Sequence, residues 1–473
     1  MFWEIAYWVG YVIILFTTVG SVCMILLENR NPLKSIAWIL VFLFLPVVGV
    51  LCYFLFGKKF RKKRVISRRS LRRAELYEAT CHRKSSSIPA DVPQRSIAVL
   101  AEGNSDAPFF EKNAVKIFTD ANLLYEKMFE DIKKAQHHIN LEYYIFSPDK
   151  IGQRMMEALK EKAREGVQVR VIIDDVGSWN FRKKHEEELR EAGVEIERYL
   201  PVRLSLFSSR VNYRNHRKVL VIDGKIGYTG GMNIADRYTE GLKWGVWRDT
   251  HCRYEGPVVL GLQNVFFEDW YFVRQVLVSD EFFYPVPTPC GEVNVQTVVS
   301  GPDMEWEAIM QIFAKSFSMA NKRIFIETPY FLPPESLVTA LQSAALSGVD
   351  VRLILPHKSD AVLTLWSTFS YINEMLKSGV KVYFYRPGFI HSKVAIVDDA
   401  ISFVGSANMD FRSFEQNFEL NTIVYDEETA SQLIEMFEND LANSDQVEEE
   451  AWNKRSNFNK IKESIARLCS PLL

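Results

Sequence analysis

Cysteine is scarce and scattered. Six occur in 473 residues (Cys23, Cys52, Cys81, Cys252, Cys290 and Cys469), and no two stand in C-x-x-C spacing. That excludes a disulfide framework and a cysteine-built zinc site, and it fits a reducing compartment. No Gly-rich phosphate loop is present, and His185-Glu-Glu-Glu188 is followed by Leu189, so it is not an H-E-x-x-H helix. His82, His137, His138, His251 and His357 show no metal-ligand spacing either. The expected chemistry uses no metal and no cofactor. Net charge is also nearly lacking, at −2, but the average hides a split. Residues 1–73 carry 12 Lys and Arg against two Glu, a net of +10, which leaves −12 for the rest. An acidic body behind a basic neck argues against nucleic acid as the partner, since a binder spreads positive charge over its binding face.

Long apolar runs are present twice, over residues 5–27 and 36–56. At about 1.5 Å rise per residue, each run is long enough for a hydrocarbon core of roughly 30 Å. The first starts with Glu4 and no Lys or Arg and is too long for a signal-peptide core. A short polar link, Glu28 to Ser35, reads as a hairpin turn, so residues 1–57 are expected to form a two-helix transmembrane hairpin. Ten Lys and Arg follow between Lys58 and Arg73. The positive-inside rule puts this cluster, and with it the large body, in the cytoplasm of a multi-pass cell-membrane protein. Residues 58–110 read as basic neck and linker, with Ser85-Ser86-Ser87, Pro89 and Pro93 interrupting any periodicity.

Beyond the linker, strand-like and helix-like segments alternate, as in α/β proteins. Ile139 to Phe146 and Val169 to Asp175 read as strands, with a helix from Gly152 to Glu165 between them. The order recurs as a strand at Arg323 to Phe331, a helix from Pro334 to Leu346 and a strand at Val351 to Pro356. This is duplication on the scale of a domain. Two α/β domains of mixed sheets flanked by helices are expected, at 111–285 and 286–440. A charged, amphipathic tail follows at 441–473, in which Trp452, Phe458, Ile461, Ile465 and Leu468 are expected to pack a shared helical face against the body, with an interfacial membrane contact as the alternative.

Each half holds one polar repeat. The first reads His216-Arg-Lys218-Val-Leu-Val-Ile-Asp223 with Gly230-Gly231-Met-Asn233 behind it. The second reads His391-Ser-Lys393-Val-Ala-Ile-Val-Asp398 with Gly405-Ser406-Ala-Asn408. Side chains alternate along a strand, so H-x-K sets imidazole and ammonium on one face. Asp ends the strand, the Gly pair allows a tight turn, and Asn returns its amide toward the site. Two such sets facing each other suit a double displacement on an anionic phosphodiester. One His attacks phosphorus, and the other handles the protons of the leaving and incoming alcohols. Lys218, Lys393, Asn233 and Asn408 are expected to hold the phosphoryl oxygens.

The duplicated H-x-K-x4-D-x6-G-[GS]-x-N pattern resembles the phospholipase D superfamily over most of residues 110–440. The two N-terminal runs with a basic exit, Asn212-Tyr-Arg-Asn-His-Arg-Lys218 and the terminal Ser470-Pro-Leu-Leu473 are similar to the bacterial cardiolipin synthases within it. The resemblance implies His216, Lys218, Asp223, His391, Lys393 and Asp398 as the catalytic set. It implies His216 as nucleophile and His391 as acid/base, an assignment that near-symmetry leaves reversible. It also implies an acidic residue on the second nitrogen of each catalytic His, namely Asp249 for His216 and Glu419 for His391. Glu142 and Glu327, at equivalent strand positions, read as core or supporting residues. The expected reaction moves a phosphatidyl group from one phosphatidylglycerol to another, with hydrolysis, another alcohol acceptor or a nuclease as alternatives. Leu200 to Phe207 is a candidate lipid entry.

Overall fold

A computed structural model of the chain describes residues 2–27, 32–45, 48–49, 53, 88–92, 94–202, 212–278, 280–468 and 470. It divides into two compact units, Met1–Lys62 with Val202–Tyr213, and Lys63–Pro201 with Arg214–Leu473.

In the smaller unit the helix Phe2–Leu27 has 26 residues and is long and apolar enough to cross a bilayer. The next helix, Pro32–Phe44, has 13 and stops before Pro46. It covers about 20 Å, short of the roughly 30 Å needed. Among the described residues there is therefore one candidate span, not the two expected. Ile25, Phe42 and Tyr53 bury one another beside Val22 and Trp38. Most of the second apolar run beyond Phe44, the basic cluster at 58–73 and the candidate lipid-entry residues 203–207 lie outside the described residues.

The larger unit is built on one sheet of 15 strands. Its first-half strands are β1 (Phe109–Phe118), β2 (His138–Tyr143), β3 (Gln168–Asp174), β4 (Glu195–Tyr199), β5 (Lys218–Ile222), β6 (Ile226–Gly230) and β8 (His251–Glu255), while β7 (Val246–Arg248) stands apart. The second half supplies β9 (Val293–Ser300), β10 (Arg323–Glu327), β12 (Asp350–Pro356), β13 (Lys381–Tyr385), β15 (Val394–Val397), β16 (Ile401–Gly405), β18 (Glu419–Tyr425) and β19 (Ser444–Gln446). Outside the sheet lie β11 (Phe331–Leu332), β14 (Gly388–Ile390) and β17 (Met409–Asp410). From its middle outward the first half runs β1-β8-β6-β5-β2-β3-β4, and the second β9-β18-β16-β15-β10-β12-β13. The two orders match strand for strand, and the halves join where β1 pairs antiparallel with β9. Parallel pairs β2–β3–β4 and β10–β12–β13 sit beside antiparallel ones, which makes each half mixed.

Local signals explain the elements. Helix Lys150–Arg164 is capped by Asp149, which accepts from Gly152 N–H, and it buries Ile151, Met155, Met156 and Leu159 on one face. The chain then turns at Gly166 with φ +92°, a conformation that favours glycine. β2 is buried on both faces, as its unbroken run predicts.

Two expectations change. The linker ends earlier than residue 110, because Arg95–Ser105 is a helix whose Ile97, Ala98 and Ala101 enter the second half's core with Val298, Ile309 and Ile312. In the tail, Trp452 is buried, but Phe458, Ile461, Ile465 and Leu468 on helix Asn457–Leu468 are 59–81% exposed. The polar side of that helix meets the body instead, since Lys462 lies over the Trp366 ring and Arg467 pairs with Glu374.

Candidate active site

Both H-x-K motifs meet where the halves touch. β5 begins at Lys218 and β15 at Val394, so His216 and His391 stand just ahead of their strands. The opposite half holds each one by its backbone. His216 N–H donates to the Phe418 carbonyl at 2.9 Å, and Phe418 N–H donates to the Arg214 carbonyl at 2.9 Å. In the mirror arrangement β14 pairs with β7, and His391 N–H donates to the Arg248 carbonyl at 2.6 Å.

This exchange decides which carboxylate meets which imidazole. Nδ1 of His216 lies 3.0 Å from both oxygens of Glu419, and Nδ1 of His391 lies 2.6 Å from Asp249. The expected partners are therefore swapped. Asp249 and Glu419 each follow a segment that crosses to the other half, so nearness in sequence to one motif brings the carboxylate to the other. Asn417 and the Ser406 hydroxyl also donate to Glu419, and Thr250 N–H donates to Asp249 at 2.8 Å. Gly231, the counterpart of Ser406, leaves room for Asp249, since a Cβ there would come within 2.0 Å of its carboxylate. Gly405 ends β16 with no room for a Cβ, which would stand 2.4 Å from the Leu420 carbonyl. Close approach, more than a tight turn, is what these glycines allow.

Lys218 and Lys393 are buried, and each Nζ donates to the carbonyl of its own histidine. Lys218 feels Lys393, and each ammonium feels both carboxylates, Asp249 and Glu419, which gathers the four charges around one centre. Burial lowers Lys218 to about 7 and Lys393 to about 8, against the pull of the carboxylates. Burial likewise lowers both imidazoles to about 4, so both are neutral at pH 7. Asp249 and Glu419 stay below the ordinary carboxylate range despite burial. Lys393 and His391 hold Asp249 down, and His216 and Lys218 hold Glu419 down. An Nδ1–H given to a carboxylate leaves the Nε2 lone pair of His216 free for attack, while Nε2 of His391 lies 3.3 Å from Lys393 Nζ.

The two motif aspartates are not in this centre. Each lies beyond the far end of its strand, about five residues or some 16 Å along from the lysine. Asp223 has φ +54° and accepts N–H groups of Gln136, His137 and His138, while Asp398 at φ +54° accepts those of Asn321, Lys322 and Arg323. They pin the starts of β2 and β10 to the ends of β5 and β15. Asn233 also turns its amide into protein, accepting from Ile145 N–H at 3.0 Å and donating to the Tyr238 hydroxyl at 2.7 Å. Asn408 donates to Asp410 at 3.2 Å.

A family model described as cardiolipin synthase, PLD-like domain matches residues 128–243 and 313–441, and one described as phospholipase D-nuclease N-terminal matches 11–58. The major cardiolipin synthase ClsA of Bacillus subtilis is 41% identical over 96% of this chain and 96% of its own length. The cardiolipin synthase of Geobacillus kaustophilus is 39% identical over 99% of this chain and 95% of its own. The chain belongs to the bacterial cardiolipin synthases of the phospholipase D superfamily. The fold is also that of the phosphatidylserine synthase of Haemophilus influenzae, with a TM-score of 0.62 over 80% of this chain and all of the other, at 14% identity.

Beneath the centre of this cardiolipin synthase lie two carboxyl pairs that sequence reading did not assemble. In the first half, Arg217 pairs with Asp269, and Asn215 donates to Glu142. In the second, Arg248 stands 2.7 Å from Asp440 and 3.9 Å from Glu327. Burial raises Glu142 well above its ordinary range, with Asp269 adding to it, and raises Glu327 to about 7, with Asp440 adding to it. The equivalent places of Glu142 and Glu327 were legible. Their partners Asp269 and Asp440 sit on helices Val258–Arg274 and Glu427–Ala442, where only the fold brings them in. Among the described residues no group of three or more His, Cys, Asp or Glu is arranged to hold a metal ion.

Proposed function

We propose that the chain makes cardiolipin from two phosphatidylglycerol molecules through a phosphohistidine, with glycerol released. The observation that carries this is the pair of imidazoles, each oriented by a carboxylate from the other half, with a buried lysine on the carbonyl of each histidine. A phosphodiester anion bound between Lys218 and Lys393 raises the proton affinity of both lysines and of the nearby imidazoles. With the diester bound, His391 takes up a proton from solvent on Nε2. Nε2 of His216 then attacks phosphorus, the P–O bond to glycerol breaks, and His391 gives that oxygen its Nε2 proton. His391 then removes the proton from the primary hydroxyl of the second phosphatidylglycerol, whose oxygen displaces His216. One phosphodiester replaces another, so no activated nucleotide enters. Lys218 and Lys393 offset the charge that builds on the phosphoryl oxygens.

The same reading holds the body to the cytoplasmic face of the cell membrane by a two-helix hairpin. The helix Phe2–Leu27, the apolar helix that follows and the Lys/Arg cluster beyond them support it. The test is product analysis. Purified protein in detergent receives radiolabelled phosphatidylglycerol without metal or nucleotide, beside His216→Ala. Cardiolipin and glycerol from the wild type alone are expected. Phosphatidic acid alone would make the chain a hydrolase, and cutting of plasmid DNA without a lipid product would make it a nuclease.

A further inference from the structure

Helix Asn457–Leu468 wears its amphipathicity inside out. Phe458, Ile461, Ile465 and Leu468 fall on one arc of about 80° at 100° per residue, and their exposures are 76%, 59%, 60% and 81%. The side that meets the body is polar and charged. Lys462 lies 4.3 Å over the Trp366 ring, Arg467 lies 4.0 Å over Tyr371 and pairs with Glu374 at 2.8 Å, and Glu463 is buried against Arg455. These contacts fix the helix with its apolar stripe outward. Val362 and Leu363, one turn from Trp366, are exposed as well.

We infer that this helix is a second membrane contact of the body, lying in the interface of an anionic bilayer with the Phe458–Leu468 stripe among the acyl chains. The charge fits that occupant. Lys454, Arg455 and Arg467 pair with Glu450, Glu463 and Glu374, and Lys460 and Lys462 remain as a local excess of +2 on a body that is acidic as a whole. Lys460 borders the stripe on the side away from Lys462, where a lysine stem reaches head-group phosphates. A short apolar stripe with a basic border binds lipid through buried area and attraction to anionic head groups together. The inference rests on the lipid chemistry proposed above. Both substrates are anionic lipids that must reach one centre from the bilayer, and a helix lying flat limits how the body can tilt as they do.

The test uses the full chain in vesicles of phosphatidylcholine with phosphatidylglycerol, and in phosphatidylcholine alone. An environment-sensitive fluorophore is placed by Ile461→Cys in an active chain whose native cysteines are replaced. Quenching by nitroxide-labelled acyl chains is expected in the anionic vesicles and weaker quenching in the neutral ones. A probe that stays in water in both overturns the inference. So does a disulfide that joins two unlabelled copies through the introduced thiol without lipid quenching, which would make the stripe a self-association face. In parallel, Phe458→Ser, Ile461→Ser, Ile465→Ser and Leu468→Ser are combined. The variant is expected to lose about tenfold or more of its cardiolipin synthesis in vesicles, through lost effective concentration, and to keep its rate in mixed micelles. Equal rates in vesicles would also overturn the inference. A chain that makes no cardiolipin even in micelles would instead refute the proposed reaction, and the quenching would still be readable.

Discussion

Glu419 belongs to the second half of the molecule, yet both of its carboxylate oxygens lie 3.0 Å from Nδ1 of His216 in the first. Asp249 makes the reciprocal contact to His391 at 2.6 Å. Neither half can therefore orient its own histidine.

The crossing separates the two chemical roles. With His216 as nucleophile, Glu419→Gln slows formation of the phosphohistidine through the attacking imidazole, and Asp249→Asn slows both steps through the imidazole that gives and takes the proton. Each is expected to cost about 10–100-fold, as loss of an orienting partner does elsewhere. Rapid quench with 32P-labelled phosphatidylglycerol reads both. His391→Ala should accumulate alkali-stable label on protein, and His216→Ala should carry none. Label on His216→Ala instead would reverse the assignment.

The motif aspartates are expected to matter for folding and not for chemistry. Asp223→Ala leaves the N–H groups of Gln136, His137 and His138 without their acceptor. The loss is about 1–3 kcal/mol of stability, read as a lower thermal midpoint, while the kcat of the folded fraction stays near wild type. A large fall in kcat with an unchanged midpoint would return Asp223 to the reaction.

Those aspartates show why part of the site was hidden in the sequence. The periodicities and the copied H-x-K spacing gave away the halves, the strands around Leu141, Val171 and Ile326, and the histidine–lysine pairs. Equal offset of Asp223 and Asp398 reads as shared chemistry, yet here it records two strands of like length that end on the same kind of backbone contact. The swap of Asp249 and Glu419 depends on β7 and Phe418 pairing across the halves, and no spacing along one chain encodes that. Helix Asn457–Leu468 misled for another reason. An apolar stripe shows that something apolar covers it, without saying whether the cover is the protein.

Alkaline pH should weaken substrate binding before it unfolds anything. Lys218 and Lys393 are lowered by burial to about 7 and about 8, so their ammonium forms are lost as pH rises through that window. A phosphodiester needs both cations, and kcat/KM should fall in two steps with KM taking most of the change. Lys218→Arg keeps a charge whose proton stays on far above that window and should move the first step upward. An unaltered alkaline limb in this variant would assign the titration to another group.

Arg248 is expected to join fold and chemistry in one side chain. It stands 2.7 Å from Asp440 and 3.9 Å from Glu327, and its Nη1 also donates to the Asp249 carbonyl at 2.8 Å. Arg248→Met leaves two buried carboxyls without their cation, a loss of about 3–5 kcal/mol. Glu327 is already raised to about 7, mainly by burial. A carboxyl whose folded value lies above its unfolded one favours folding fully below the unfolded value, and that contribution is lost as pH rises through the folded value. Without Arg248 the folded value climbs further, so the variant should be most defective above pH 7 and recover toward pH 5. Adding Glu327→Gln removes the titration and should restore much of the thermal midpoint at neutral pH. It should not restore kcat, because the backbone of Asp249 has still lost the guanidinium that holds it under His391. Full recovery of kcat together with the midpoint would reduce Arg248 to a counter-ion of the core.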